Sequence, residues 1–120
     1  MPAPFVILAD IGVVVSLALV AVVFRENTFA AATIRVEAKQ HVITTGMYAH
    51  VRHPMYACAL PYIFAMPVGL GSWWAMLLGV PFALLLGARI VDEERMLIAE
   101  LPDYADYCRA VRWRLIPAIW

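Results

Sequence analysis

Arg89 and Glu93 form the residue pair that most directly suggests chemistry in this sequence. They are four positions apart, so on a helix they share one face, about 6 Å from each other. A guanidinium can hold a carboxylate through two parallel hydrogen bonds, and a carboxylate can hold a cation. Arg89 also follows a long uncharged run, where a charge is costly and often functional. The alternative interpretation is a surface ion pair, contributing about 0.3–0.5 kcal/mol.

Two other polar segments have the composition of membrane-interface anchors. Arg52 and His53 stand directly before Pro54, which suits the first turn of a helix, so both side chains are expected to extend toward the interface. Glu94 is expected to point away from the face shared by Arg89 and Glu93. A later aromatic and basic segment is expected to bind lipid headgroups. It consists of Tyr104, Tyr107, Arg109, Arg112, Trp113 and Arg114.

Other kinds of site find little support in the sequence. His50, His53 and Glu93 could hold a metal ion, but no third histidine stands at ligand spacing, and we predict no metal site. Gly69-x-Gly71 follows no strand and is not a dinucleotide-binding pattern. No serine lies in a nucleophile elbow. The two cysteines make no disulfide framework, and Cys58 is expected to be a packing residue.

The composition indicates the kind of molecule that positions these residues. The chain has 120 residues, is 64% hydrophobic and 15% charged, and has a mean hydropathy of +0.80. A soluble domain is about 45–50% apolar and about 25% charged. Nine basic residues balance nine acidic ones, so no basic excess supports nucleic-acid binding. We expect a single all-α domain, residues 1–120, that is integral to a membrane.

The positions of the charges predict the membrane helices. Asp10 apart, every charged residue lies within 25–53 or 89–120. Residues 5–24 are an apolar run long enough to cross about 30 Å of hydrocarbon. Residues 54–88 carry no charge and are too long for one crossing. A break at Gly69–Ser72 divides them into a helical hairpin over residues 55–90, with helices at about 55–68 and 73–90. A further short helix is expected after Pro102.

Three crossings would put both charged segments on one side of the membrane. All nine Lys and Arg residues would then lie there, and the positive-inside rule makes that side cytoplasmic. Segments 25–53 and 91–120 are therefore expected to be cytoplasmic, with the N-terminus and hairpin tip outside. A signal peptide at 5–24 is a weaker alternative, because no basic residue precedes it. Three helices make few mutual contacts, so we expect either a homo-oligomer or a shortened version of a larger protein.

The ordered motifs closely resemble the isoprenylcysteine carboxyl methyltransferase family and, more loosely, membrane phospholipid methyltransferases. The resemblance covers about residues 33–120. It consists of Gln40-His41-Val42-Ile43, Gly46-x-Tyr48, Arg52-His53-Pro54-x-Tyr56, an apolar hairpin, Arg89-x-x-x-Glu93-Glu94-x-x-Leu97, Tyr104-x-x-Tyr107 and Leu115-Ile116-Pro117. The family usually has more membrane helices ahead of this core.

The resemblance implies an S-adenosylmethionine site at the cytoplasmic ends of the hairpin helices. The arginine matching Arg89 faces the methyl acceptor, and the glutamate matching Glu93 faces the cofactor; these two are the predicted catalytic residues. The predicted cofactor-binding residues are Gln40, His41, Val42, Ile43, Tyr48, His53, Pro54, Met55, Tyr56 and Glu93. The partners implied are a lipophilic small-molecule or prenylated acceptor and membrane lipid.

Methyl transfer suits these residue types. The reaction is an in-line displacement in which the sulfonium loses its positive charge, so a site shielded from water favours it. A carboxylate acceptor is already ionised at pH 7 and needs no general base. The protein must then hold two partners about 3–3.5 Å apart. Arg89 suits an acceptor carboxylate, and Glu93 suits the cofactor's ammonium or sulfonium group.

Three alternatives remain open from the sequence. The acceptor could be a phospholipid amine or a small thiol, although an amine would be repelled by Arg89. Sterol reductases carry a similar Arg-His-Pro-x-Tyr block and use NADPH, but they are much longer. The chain could also be a non-catalytic membrane module that has lost its other helices.

Overall fold

A computed structural model describes residues 1–27 and 42–120, and these residues form helices and turns without a strand. The first helix, α1, spans Ala3–Glu26 and has a mean hydropathy of 2.8 over its most apolar window. It is about 36 Å long at 1.5 Å per residue. The predicted apolar helix over 5–24 is confirmed and extends by two residues at each end.

The second helix, α2, spans Pro54–Gly69 and follows a short 3-10 helix at Gly46–Ala49. Pro54 occupies its first turn as expected, because proline has no N–H to leave unpaired there. Among the residues that the structure describes, two helical stretches are long and apolar enough to cross a membrane, Ala3–Glu26 and Trp73–Glu100. Since α2 is a shorter apolar helix of 16 residues, the third crossing stays a prediction.

The predicted break in the hairpin is confirmed at Leu70–Ser72. Gly71 has a φ of +82°, a conformation that a residue without a Cβ adopts readily. The Ser72 hydroxyl then accepts a hydrogen bond from the Ala75 N–H at 3.1 Å and caps the next helix.

The helix after this break is less regular than predicted. A single turn, α3 (Trp73–Met76), precedes the long helix α4 (Gly79–Glu100). Pro81 has no N–H to donate to the Leu77 carbonyl, which instead accepts the Val80 N–H at 3.2 Å. Helix α4 then continues well beyond Arg89, and α5 (Tyr104–Ala110) follows Pro102 as predicted.

Helices α1 and α2 pack antiparallel. At one end of the molecule, the Phe5 and Trp73 rings meet edge to face at 5.7 Å. At the other end, the Asn27 side chain donates to the Tyr48 hydroxyl at 3.1 Å. The start of α1 and the hairpin turn therefore share one end, which we call the turn end. The polar segments share the opposite end, which we call the site end.

A cluster of buried apolar side chains lies at the site end, although single residues of the apolar helices, such as Val23 and Ile90, are buried more fully. Leu97, Leu101, Tyr104 and Tyr107 form a core between the end of α4 and α5. By contrast, most large apolar residues of α1 are exposed, including Leu8 at 68%. An apolar surface of this extent is typical of helices that lie in lipid.

Candidate active site

Tyr56 connects Arg89 and Glu93 at the site end. Its hydroxyl donates a hydrogen bond to Glu93 Oε2 at 2.7 Å and accepts one from Arg89 Nε at 2.9 Å. All three side chains are half-buried. The start of α2 and the end of the apolar part of α4 therefore converge, as a site shared by these ends of the hairpin helices requires. The pair lies against another helix and not on an open surface.

Local helix geometry accounts for this arrangement. Pro54 starts α2, so Tyr56 lies in its first turn and faces α4. Arg89 and Glu93 lie one turn apart on α4, which presents both to the same neighbour. The Tyr56 hydroxyl can donate one proton and accept another, so it satisfies both charged groups at once.

Glu94 lies at the centre of a second, more buried cluster. Its side chain is 6% exposed, and its Oε1 lies 3.0 Å from both Arg52 Nε and His53 Nε2. Its Oε2 accepts a hydrogen bond from Arg114 Nε at 2.8 Å. We call Glu94, Arg52, His53 and Arg114 the Glu94 cluster. Because a carboxylate only accepts hydrogen bonds, His53 Nε2 is the donor in its contact.

This cluster corrects the expected role of Arg52 and His53 as interface anchors. Arg52 is 10% exposed and His53 is 4% exposed at the side chain, and both turn toward Glu94. A buried carboxylate needs paired cations, and Glu94 obtains them from two distant segments. Helix periodicity separates Glu94 from Glu93 by about 100°, but it does not reveal what lies on that other face.

The C-terminal segment closes over the start of α2. The Arg52 and His53 N–H groups donate to the Trp113 and Arg114 carbonyls, each at 2.8 Å. The Arg114 guanidinium also lies 5.2 Å from the centre of the Trp120 ring. Two backbone hydrogen bonds thus join the residues after α5 to the start of α2, and the ion pair between Arg114 and Glu94 joins them to α4.

Tyr104 and Tyr107 are also not headgroup anchors. They are 5% and 6% exposed, and the Tyr107 hydroxyl donates to the Tyr48 carbonyl at 2.6 Å. Burial raises the pKa of both phenols above their ordinary value, so both stay neutral at pH 7. Tyr107 therefore supports the turn that carries Tyr48.

The remaining predicted site residues occupy varied environments. Tyr48 is buried, and burial, with a smaller contribution from the negative charge of Glu93, raises the pKa of its phenol. Its surroundings thus include Glu93. Pro54 is fully buried, while three others are half-buried: Val42, Ile43 and Met55. Gln40 and His41 lie outside the described residues.

The sequence profile of the isoprenylcysteine carboxyl methyltransferase family matches residues 5–99, which include all of α2 and nearly all of α1 and α4. The chain belongs to this family. Tyr56, Arg89 and Glu93 all lie within the matched region. Members of this family are membrane-associated methyltransferases that use S-adenosylmethionine.

Two curated relatives carry names of another kind. The nickel-cobalt-cadmium resistance protein NccN of Alcaligenes xylosoxydans xylosoxydans is 37% identical over 73 residues. The cobalt-zinc-cadmium resistance protein CzcN of Cupriavidus metallidurans shows the same identity over the same length. Each match covers 57% of this chain and 32% of the relative. The chain thus spans about a third of the length of the curated relatives it matches.

Glu94, Arg114 and Tyr107 are the supporting residues whose roles sequence reasoning missed. Glu94 stood in a quoted motif, and its one signal was a second acidic residue beside Glu93 at the edge of an uncharged run. Arg114 and Tyr107 belong to the aromatic and basic segment whose composition is typical of a membrane-interface anchor. No local pattern pairs them with Glu94 and Tyr48.

Proposed function

We propose that the chain is an S-adenosylmethionine-dependent membrane methyltransferase that acts on a lipophilic acceptor, with a carboxylate favoured. The observation that supports this most is the Arg89–Tyr56–Glu93 arrangement, which places a cation and an anion on either side of one hydroxyl at the site end. The proposal combines that geometry with the family's chemistry.

The residues present fit the cofactor. Glu93 is half-buried, and Tyr56 uses one of the acceptor positions of its carboxylate, which offers about four. The carboxylate therefore retains capacity for a cationic group. S-adenosylmethionine, when bound, supplies the methyl group and a positively charged sulfur. Tyr56 adds aromatic surface beside Glu93, which suits an adenosyl group.

Arg89 is the proposed acceptor-binding residue. A guanidinium matches a carboxylate geometrically, and it remains charged at any physiological pH. Tyr56 orients Arg89 through the Nε bond and Glu93 through the hydroxyl proton. Because both charged groups are held before the reactants arrive, the site needs little reorganisation.

We further propose that α1, α2 and the helical stretch 73–100 cross the membrane with the site end in the cytoplasm. Both α1 and α4 extend from the turn end toward the site end, so α2 returns the chain through the same thickness. The arginines of the described residues belong to segments at the site end, which favours the cytoplasmic side. Few contacts join three helices, and a homo-oligomer would bury more of their apolar surface.

Titration calorimetry in detergent tests the cofactor assignment. We expect wild-type protein to bind S-adenosylmethionine and its demethylated product, and Glu93→Gln to weaken S-adenosylmethionine binding by about 10-fold or more. Glu100→Gln is the matched control, since Glu100 is an exposed carboxylate on the same helix. Equal affinity in wild type and Glu93→Gln, with unchanged circular dichroism, would refute the role of Glu93.

The names of the two relatives favour a second, physiological candidate function in tolerance of cobalt and cadmium, the two metals that both names contain. The methyltransferase activity would then act in cells exposed to these ions. Deleting the gene should lower the concentration of cobalt or cadmium that halts growth. Complementation by wild type but not by Glu93→Gln would connect tolerance to the proposed activity.

A further inference from the structure

Glu94 is buried, whereas the neighbouring site residue Glu93 is half-buried. The whole Glu94 residue is 5% exposed, and it is the only buried acidic residue among residues 1–27 and 42–120. Two guanidinium groups and one imidazole surround it within 3.0 Å. A buried carboxylate with this many partners holds each of them in a narrow range of positions.

The partners of Glu94 adjoin the residues of the proposed active site. Arg52 and His53 directly precede the first turn of α2, which carries Tyr56. The His53 ring also stacks on the Tyr56 ring, with centroids 5.8 Å apart and an interplanar angle of 23°. The Glu94 cluster therefore reaches Tyr56 through both the backbone and a ring contact.

Glu94 also adjoins Glu93, the residue that accepts the hydrogen bond from the Tyr56 hydroxyl. It follows Glu93 on α4, so their backbone positions are rigidly linked in the helix. The position of the Tyr56 hydroxyl relative to Glu93 thus depends on the distance that Glu94 sets between α4 and the start of α2. Arg114 contributes from the C-terminal segment, which also accepts the Arg52 and His53 backbone N–H groups.

We propose that Glu94 is a positioning residue, which holds the His53 and Tyr56 rings so that the Tyr56 hydroxyl lies between Arg89 and Glu93, and that Arg114 supports it from the C-terminal segment. This inference rests on the proposed methyltransferase function. Glu94 touches neither reactant in this proposal, and it acts only through Tyr56.

A double-mutant cycle separates this role from a merely structural one. Glu94→Gln keeps the shape of the side chain and removes its charge, and Tyr56→Phe removes the positioned hydroxyl. Methyl transfer is measured in detergent with labelled S-adenosylmethionine and an S-farnesylated N-acetylcysteine. Because small misplacements near a reacting centre can cost about 100-fold, we expect Glu94→Gln to lower kcat/KM by about 10- to 100-fold. In the Tyr56→Phe background, the same substitution should have less than about a 3-fold effect.

The outcomes distinguish the two proposals. Multiplicative losses in the cycle would overturn the positioning role while leaving the methyltransferase function intact. Absence of S-adenosylmethionine binding by wild-type protein would overturn the function itself and the positioning role that rests on it. Glu100→Gln is the matched control and should leave kcat/KM unchanged.

A second variant guards against failure to fold. If Glu94→Gln loses its helical circular dichroism, Arg114→Gln tests the same coupling from a side chain that is 33% exposed. It should lower kcat/KM in the wild-type background and have little effect in the Tyr56→Phe background. Equal losses in both backgrounds would contradict the proposal.

Discussion

At the scale of single residues, the site consists of two linked polar groups with different exposure. The Arg89–Tyr56–Glu93 arrangement is half-buried, and it is the proposed binding place of the two reactants. The Glu94 cluster is buried and holds its own partners. The sequence identified Arg89 and Glu93 because helix spacing alone places them together. It could not identify the partners of Glu94, since these come from distant parts of the chain.

The acceptor assignment predicts the behaviour of Arg89→Ala. Removing a guanidinium that binds a carboxylate costs about 1.5–3 kcal/mol, so KM for an S-farnesylated N-acetylcysteine should rise by about 10- to 100-fold. A long-chain alkylamine, which carries no anionic group, should show no such loss, because the guanidinium repels its ammonium form. Initial rates at varied acceptor concentration provide the measurement. Arg95→Ala is the control, since Arg95 is 78% exposed on the same helix. A larger loss with the amine would contradict the assignment.

The hydroxyl of Tyr107 predicts a change in stability and in its pH dependence. Tyr107→Phe leaves the Tyr48 carbonyl without this donor, which should cost about 1–3 kcal/mol. Burial raises the pKa of Tyr107, so the folded protein retains a proton that the unfolded chain releases above about pH 10. The contribution of Tyr107 to the free energy of unfolding should therefore be constant below about pH 10 and should fall as the pH rises further.

Denaturant unfolding in detergent at pH 8 and pH 11 tests both statements. The decrease in the free energy of unfolding between pH 8 and pH 11 should be smaller in Tyr107→Phe than in wild type. Tyr62→Phe is the control, since Tyr62 is a tyrosine of α2 that is only half-buried. An identical fall in wild type and Tyr107→Phe would be inconsistent with the burial argument.

At the scale of the elements, close approach of α2 and α4 positions the site residues. Gly79, at the start of α4, is buried against Phe64 of α2. A break near Gly69–Ser72 was predictable because glycine and serine have strong local preferences. The short α3 and the restart at Gly79 were not predicted. The missing N–H of Pro81 explains them only once the register of the helix is known.

Gly79→Ala should disturb this helix contact. A Cβ at Gly79 would lie 2.6 Å from Phe64 Cε1, so the ring must move, at a cost of about 1–3 kcal/mol. At Gly87, by contrast, a Cβ would lie 3.8 Å from Trp120, an ordinary contact. Gly87→Ala should therefore be neutral or stabilising by up to about 1 kcal/mol. Thermal unfolding followed by circular dichroism measures both, and equal effects would contradict the importance of the close approach at Gly79.

At the scale of the whole molecule, the charged residues of the described segments gather at one end, with the exception of Asp10, and mostly apolar surface covers the rest. The molecule measures 50 × 28 × 25 Å, so its long axis exceeds the roughly 30 Å of hydrocarbon in a bilayer. The excess length suits a site end that extends beyond the hydrocarbon into the interface. This arrangement follows from the charge distribution, since charged groups avoid lipid and apolar helices avoid water.

The proposed orientation predicts which residues face each side of the membrane. In a Cys58→Ala, Cys108→Ala background, Leu70→Cys lies at the turn end and Glu100→Cys lies at the site end. A membrane-impermeant maleimide added to intact cells should label Leu70→Cys and should label Glu100→Cys only after lysis. The reverse pattern would show that the site end is outside. Labelling of both in intact cells would argue against three crossings.

The sequence by itself determined the helical class, the apolar stretches, the turn at Gly71 and the pairing of Arg89 with Glu93. Each depends on local rules: the cost of charge in hydrocarbon, the conformational freedom of glycine and the spacing of a helix turn. Only the tertiary structure decided that Tyr56 lies between the two charged residues and that Glu94 faces Arg114. His53 and Glu94 are 41 positions apart, and Tyr107 and Tyr48 are 59 apart. Contacts at such separations depend on how whole helices pack, which no local pattern records.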